Sequence, residues 1–402
     1  MTFKSTSISS ERLARIDRFF QTRYIDTRRL PCAVTLVEHK GKVVHHGALG
    51  FMDVERQRPV REDTIFRIYS MTKPLTSVAF MMLVEDGAVA LDDPVHRFIP
   101  QWRDLAVFDA GFMDTFRTKR TVRPMRMVDL LRHTCGLTYG FQQRTNVDAS
   151  YRKLGLGEIG GPVALDAMID GLAKVPLEFS PGDAWNYSVA TDVLGYLVGK
   201  ISGMPFERFL RERILDPLGM HDTDFHLPES KAARLAACYR FTPTEPMQLV
   251  DDPQTSPYLR PPTFISGGGG LVSTLSDYLR FCRMLLNGGS LDGVRILGSK
   301  TIELMGANHL PGGKDLTQIS VSLFSEATYA GVGFGLGFAV PLDPARPLLP
   351  GAVGDMSWGG MAGTYFWVDP REELIVIFMT QLMPSATYPT RRELRTLVYS
   401  AM

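Results

Sequence analysis

One stretch restricts the fold more than any other. From about Ser70 to Asp86 the chain is apolar on nearly every side, with Leu75, Val78, Phe80, Met81, Met82, Leu83 and Val84 in close succession. Its length and pattern predict a helix, and a helix that is apolar all round must be buried. Pro74 lacks an N–H and fits only the first turn of such a helix, which pins the start close to Ser70. Gly87 suits the residue just past the end. A chain of 402 residues is long enough to enclose such a helix, as one large domain or two interlocked ones.

The flanks predict what encloses it. Glu11 to Tyr24 carries Leu13, Ile16, Phe19 and Phe20 at helical spacing, an amphipathic pattern. Ala33–Glu38 and Val43–Leu49 are β-branched runs joined by Lys40-Gly41-Lys42, which reads as a hairpin. Asp63–Ile68 is a short extended lead-in. Between about 91 and 264, helical patterns at Met127–His133, Val163–Lys174, Asp192–Lys200 and Pro205–Leu215 alternate with loops rich in Gly, Pro and Asp. Strands return after the run Gly267–Gly270, at Leu336–Val340, Tyr365–Val368 and Leu374–Thr380, and Arg391–Tyr399 closes as a helix. The two ends therefore read as halves of one α+β unit, residues 1–90 with 265–402, and residues 91–264 as an inserted, mainly helical domain.

Composition excludes several classes of function. The 44 basic residues balance 43 acidic ones, with no basic stripe of the kind a nucleic-acid binder shows. Arg117–Arg120, the densest basic stretch, reads as a solvated loop. No run approaches the roughly 18 apolar residues that span a bilayer. The N-terminus lacks the apolar core and cleavage site of a secretory signal. Cys32, Cys135, Cys238 and Cys282 lie far apart in apolar surroundings, so buried free thiols are expected, and a cytoplasmic location with them. His45 and His46 point to opposite faces of a strand and make poor co-ligands. No metal or cofactor is expected.

Chemistry enters at Ser70-Met71-Thr72-Lys73. Residues at i and i+3 share a helix face, so the Lys73 amine can reach the Ser70 hydroxyl. A hydroxyl needs a base to become a nucleophile. An amine in apolar surroundings loses its proton more readily, because desolvation disfavours the charged form. A second S-x-x-K match, Ser150 to Lys153, lies in a polar stretch followed by Gly155 and Gly157, and reads as a loop without catalytic meaning. Tyr187 precedes an amphipathic helix, where its hydroxyl can enter a cleft; beside a lysine ammonium it would be acidified and could relay a proton. Ser357-Trp358-Gly359-Gly360-Met361 carries two glycines at a strand start, letting a backbone come close and an N–H face an oxyanion. No serine has glycine at both −2 and +2, which argues against the α/β-hydrolase elbow.

In this order, with a helical block between the first helix and a late strand, the elements resemble the serine β-lactamase and penicillin-binding-protein superfamily. More narrowly they resemble the family VIII carboxylesterases and the class C β-lactamases. Leu130–Leu137, Pro217–Met220, Gly267–Thr274 and Phe334–Phe338 extend the likeness along nearly the whole chain. The resemblance implies an α+β, β-lactamase-like fold, an antiparallel sheet flanked by helices with an inserted helical domain. It implies acylation at Ser70, acid–base duty shared by Lys73 and Tyr187, and an oxyanion hole formed by the N–H groups of Ser70 and Met361. Trp358, Gly359 and Gly360 would bind substrate, with Tyr139 and Asp192 as pocket-lining or supporting groups. The chain departs from the class C pattern in two places. Val189 stands where Tyr-x-Asn would have its amide, and Trp358-Gly359-Gly360 replaces Lys-Thr-Gly. An apolar ring in place of a cation favours neutral esters. The expectation is a carboxylesterase acting on short to medium acyl esters, a small-molecule substrate, with possible side activity on β-lactams. An acyltransferase, a β-lactamase or cell-wall peptidase, and a non-catalytic scaffold are the alternatives; the oligomeric state is left open.

Overall fold

Two β-rich segments at opposite ends of the chain meet in one sheet. The computed structural model describes residues 7–112, 115–322 and 329–402. Strands β1 (Cys32–His39), β2 (Lys42–Asp53) and β3 (Arg58–Pro59) come from the first segment. Strands β4 (Val332–Phe334), β5 (Ala339–Pro341), β6 (Met356–Gly359), β7 (Tyr365–Asp369) and β8 (Leu374–Met379) come from the last. All pair antiparallel, in the order β4-β5-β6-β7-β8-β1-β2-β3. The join is β1 against β8, from Val34 opposite Met379 to His39 opposite Leu374. The run Leu336–Val340 is only partly strand: Leu336 and Phe338 enter the core ahead of β5.

Both faces of the sheet are covered, which explains why β8 is apolar at every position. Leu374, Val376 and Phe378 pack on one face with Ile16 and Phe20 of helix α1 (Arg15–Phe20) and Leu394 and Val398 of the C-terminal helix. Ile375, Ile377 and Met379 face the other way, into the larger core that holds helix α2 (Thr72–Glu85). Every residue of α2 from Thr72 to Leu83 is buried, as the apolar run requires. α2 packs on helix α3 (Ala190–Ser202), while helix α4 (Leu275–Leu286) lies on β7 and β8. The closing helix is α5 (Thr390–Tyr399).

The β-lactamase-like α+β architecture is present as expected, and the helical patterns between 91 and 264 form helices at Met127–Leu131, Leu165–Leu172, Ala190–Ser202 and Phe206–Leu210. Two local readings are corrected. Arg117–Arg120 is a fully exposed strand paired with Ala106–Ala110, so its charges stay in water while the backbone is hydrogen-bonded. The stretch around Ser150 is a helix, Asn146–Leu154, started by a Thr145/Asp148 capping box and ended by Gly155 at φ +63°. Ser150 donates to the Asn146 carbonyl at 3.1 Å, a local bond within its own helix. After the helical block the chain returns to the sheet half. Cys238–Arg240 pairs in parallel with Leu382–Met383, and Ala237 and Tyr239 join the core of α1 and α5.

Candidate active site

Ser70 lies in a single 3₁₀ turn, Tyr69–Met71, that feeds directly into α2. Tyr69 has φ +42°, a left-handed conformation that a bulky residue adopts only under constraint. The constraint is visible: the Tyr69 ring is buried, its hydroxyl 3.9 Å from Cys238 Sγ, and Met71 N–H donates to the Ile68 carbonyl at 3.0 Å. This turn places Ser70 on the wall of a large cleft. Nothing in the sequence pattern singled out Tyr69.

One turn along α2, Lys73 is 2% exposed. Its Nζ donates to Ser70 Oγ at 3.2 Å, Tyr139 Oη at 3.0 Å and the Gly268 carbonyl at 2.6 Å. Burial pulls the amine down to about 7 from its ordinary 10.5, against the opposing pull of the Asp192 carboxylate. The apolar helix thus does to Lys73 what the sequence suggested.

Tyr187 stands over the same point but behaves otherwise than expected. Burial raises its hydroxyl above the ordinary range, although the Ser70 hydroxyl and the Trp358 indole both act to lower it. The Arg391 guanidinium lowers it too, but burial prevails; the Lys73 amine lies over the ring face, 4.4 Å from its centroid. The phenol therefore keeps its proton at neutral pH. Its ring is boxed by His133, Tyr139, Trp185 and Trp358, at centroid distances from 5.1 to 6.1 Å. The backbone on either side is pinned, Asn186 N–H to the His133 carbonyl at 2.9 Å and Val189 N–H to the Thr138 carbonyl at 3.2 Å. His133, with Nδ1 3.2 Å from Ser188 Oγ, is part of this support and is kept neutral by its burial.

Trp358, Gly359 and Gly360 fall at the end of β6, not at a strand start, and turn toward β7. A Cβ on Gly360 would collide with Thr364 Oγ1 and the Ile68 carbonyl, so the glycine lets this strand end touch the segment just before Ser70. The Gly360 N–H is taken by the Thr364 carbonyl at 2.8 Å. Met361 follows at the cleft surface. Arg391, at the start of α5, donates to the Gly360 carbonyl at 3.2 Å.

Tyr139 lines the cleft, but Asp192 does not. Asp192 is 1% exposed and lies behind Tyr139 and Lys73, accepting from Ser266 Oγ at 2.6 Å and Gly268 N–H at 2.9 Å. Ser70, Lys73, Tyr187, Tyr139, Trp358, Gly359, Gly360 and Met361 are thus brought together, with Asp192 one layer deeper. The cleft encloses about 1490 Å³ and is walled largely by apolar groups, among them Phe141, Ile159, Trp185, Phe264 and Trp358. Among the described residues, no three His, Cys, Asp or Glu side chains are grouped to hold a metal ion, and no helix is long and apolar enough to cross a membrane.

The sequence model of the β-lactamase family matches residues 16–400. The chain belongs to the β-lactamase family. Within it, the chain is similar to Esterase EstB of Burkholderia gladioli, 31% identical over 96% of this chain and 95% of that one. It is 40% identical to Protein Rv1367c of Mycobacterium tuberculosis, over 89% of this chain and 88% of the other. Among solved structures it superimposes on EstCE1, described as a hydrolase with promiscuous acyltransferase activity, with a TM-score of 0.81 and 27% identity, covering 97% and 99% of the two chains. EstB and EstCE1 support a serine hydrolase of the β-lactamase fold.

Proposed function

We propose that this chain is a carboxylesterase of the family VIII kind, cleaving carboxylic esters through an acyl-enzyme on Ser70. The observation that carries the reading is the Ser70–Lys73 pair, a hydroxyl 3.2 Å from a buried amine that is half neutral near pH 7. Lys73 takes the Ser70 proton as the oxygen attacks the ester carbonyl. The carbonyl oxygen becomes an oxyanion held by the N–H groups of Ser70 and Met361. Tyr187, whose hydroxyl stays protonated, gives its proton to the departing alcohol and is reprotonated from Lys73. Water then attacks the acyl-enzyme, and the protons run back along the same path. Trp358, packed on Tyr187 and Phe334, offers the substrate an apolar face. That surface suits short to medium acyl esters and leaves β-lactams as a side activity. Four buried free cysteines suit a reducing, cytoplasmic setting.

The test is release of p-nitrophenol from a short-chain p-nitrophenyl ester by the wild type and by Ser70→Ala. Turnover by the wild type alone is expected; equal turnover by both overturns Ser70 as the nucleophile.

One observation favours a second reading, acyl transfer to an alcohol. The cleft, at about 1490 Å³, exceeds the roughly 300–1,000 Å³ of ordinary ligand pockets. It has room for an acceptor beside the acyl group, and EstCE1 is described as having promiscuous acyltransferase activity. Adding an alcohol during turnover separates the two readings, since transfer yields a new ester in place of free acid.

A further inference from the structure

The run Gly267–Gly270 and the buried Asp192 have no part in the chemistry above, yet both converge on Lys73. Asp192, at the start of α3, accepts from Ser266 Oγ at 2.6 Å and from Gly268 N–H at 2.9 Å. The carbonyl of that same Gly268 accepts from Lys73 Nζ at 2.6 Å. The Tyr139 hydroxyl faces Asp192 and also takes a bond from Lys73, at 3.0 Å. A Cβ on Gly268 would stand 2.6 Å from Asp192 Oδ2 and 2.9 Å from Tyr139 Oη. Only glycine lets the loop reach this point.

Direction follows from donor and acceptor identity. A carboxylate only accepts, so Tyr139 must spend its single O–H on Asp192 and turn a lone pair to Lys73. A neutral amine has two N–H bonds and one lone pair. The two N–H bonds are taken by the Gly268 carbonyl and Tyr139. The lone pair is left facing the third and longest contact, the hydroxyl of Ser70.

Resting on the reading of Lys73 as the base, we infer that Asp192 is a positioning residue which, through Tyr139 and the Gly268 loop, aims the Lys73 lone pair at Ser70 and sets the pH range in which it works. The titratable groups round the amine are Tyr139, Tyr187, His133 and Asp192, with Arg391 acting on Tyr187 from the far side. Burial keeps the two tyrosines and the histidine neutral. Burial raises the Asp192 carboxyl as well, while Lys73, the Ser266 hydroxyl and the Gly268 N–H lower it; ionised, Asp192 is the group whose charge pulls on the amine, and it favours the ammonium form.

The experiment is the pH profile of kcat/KM for the wild type, Asp192→Asn and Asp192→Glu, with covalent labelling of Ser70 by a fluorophosphonate read by mass spectrometry. Lys73 must be neutral to act, so activity falls as pH drops through its pKa. Losing the Asp192 charge moves that acid limb to lower pH, by about one unit. The amide also scrambles the hydrogen-bond directions, so plateau kcat falls by about tenfold or more. Asp192→Glu returns the limb toward the wild-type position. A limb that stays in place in a folded, labelled Asp192→Asn protein overturns the inference while leaving the esterase reading intact. Absence of Ser70 labelling in the wild type overturns both. Should Asp192→Asn not fold, Tyr139→Phe decides the matter: it removes an acceptor from the ammonium and must also lower the limb, and an unmoved limb is the refuting result.

Discussion

Lowering the pH from about 8 to about 5 should switch the enzyme off through one buried amine. An exposed lysine at pH 7 is neutral in roughly one molecule in 3,000. Lys73, drawn down to about 7 by its burial, is neutral in roughly half. The change amounts to about 5 kcal/mol of discrimination against the charged form, the amine being 2% exposed and so little screened by solvent. Neutral Lys73 is the competent base, so kcat/KM should be flat above pH ~8 and fall about tenfold per unit below ~6, following one proton. The assay is ester hydrolysis followed by a pH-stat, which avoids the titration of a chromogenic product. Far-UV circular dichroism across the same range checks that the fold is intact. A limb near 10, the ordinary lysine range, would refute the reasoning. It would mean that the amine keeps its ordinary basicity in the site, and that burial does not make Lys73 a ready base at neutral pH.

Other changes report on separate parts of the site and its frame. Met361→Ala should leave kcat nearly unchanged because the residue acts through its N–H, whereas Met361→Pro should lower kcat by about 10²–10³, measured on the same ester. Gly360→Ala forces a methyl into Thr364 Oγ1 and the Ile68 carbonyl, and should lower activity sharply as the turn before Ser70 shifts. Steady-state kinetics beside a thermal melt would separate that shift from unfolding. Asp355→Ala strips the buried Arg395 of its 2.6 Å ion-pair partner, and should destabilise the fold by about 3–5 kcal/mol in urea titration. The four buried cysteines should resist a thiol reagent in the native state and react in denaturant. Burial also holds the thiols of Cys32 and Cys135 up at about 12.

What could be read from the sequence followed from periodicity and from local chemistry. The all-round apolar run required a buried helix, and Pro74 placed its start, so Ser70 and Lys73 were legible together. β8 was legible as a strand from its length and β-branched residues, but which strand it joins depends on a pairing with β1 across more than three hundred residues of chain. The helix at Ser150 is hidden by Gly155, which reads as a loop former and is the C-terminal stop of a helix whose capping box begins at Thr145. The Tyr187 phenol reads from the sequence as a cleft residue, but its ionisation does not. Sequence brings a phenol near a lysine, but only the fold shows the amine over the ring face and the ring boxed by aromatic neighbours. The Gly268 carbonyl has no direct signal, since a backbone acceptor has no letter in the sequence. The glycine run that exposes it was the only trace.

The same burial that makes Lys73 reactive works against the fold. In the unfolded chain the amine keeps its ordinary 10.5, and in the native state it is held at about 7. Between those values the unfolded state binds the extra proton, so stability rises with pH across that window, and the cost is fully present below pH ~7. A site built this way needs groups that favour the ammonium, to limit that cost, without holding it so firmly that the base is lost. A salt bridge in direct contact would hold it too firmly. Asp192 set behind a tyrosine and a backbone carbonyl acts at one remove, offsetting part of the burial while leaving the amine near neutrality. On this account the depth of Asp192 is itself functional. Moving its charge closer to Lys73 should stabilise the protein and slow it together, and removing the charge should destabilise the ammonium state and move activity toward acid.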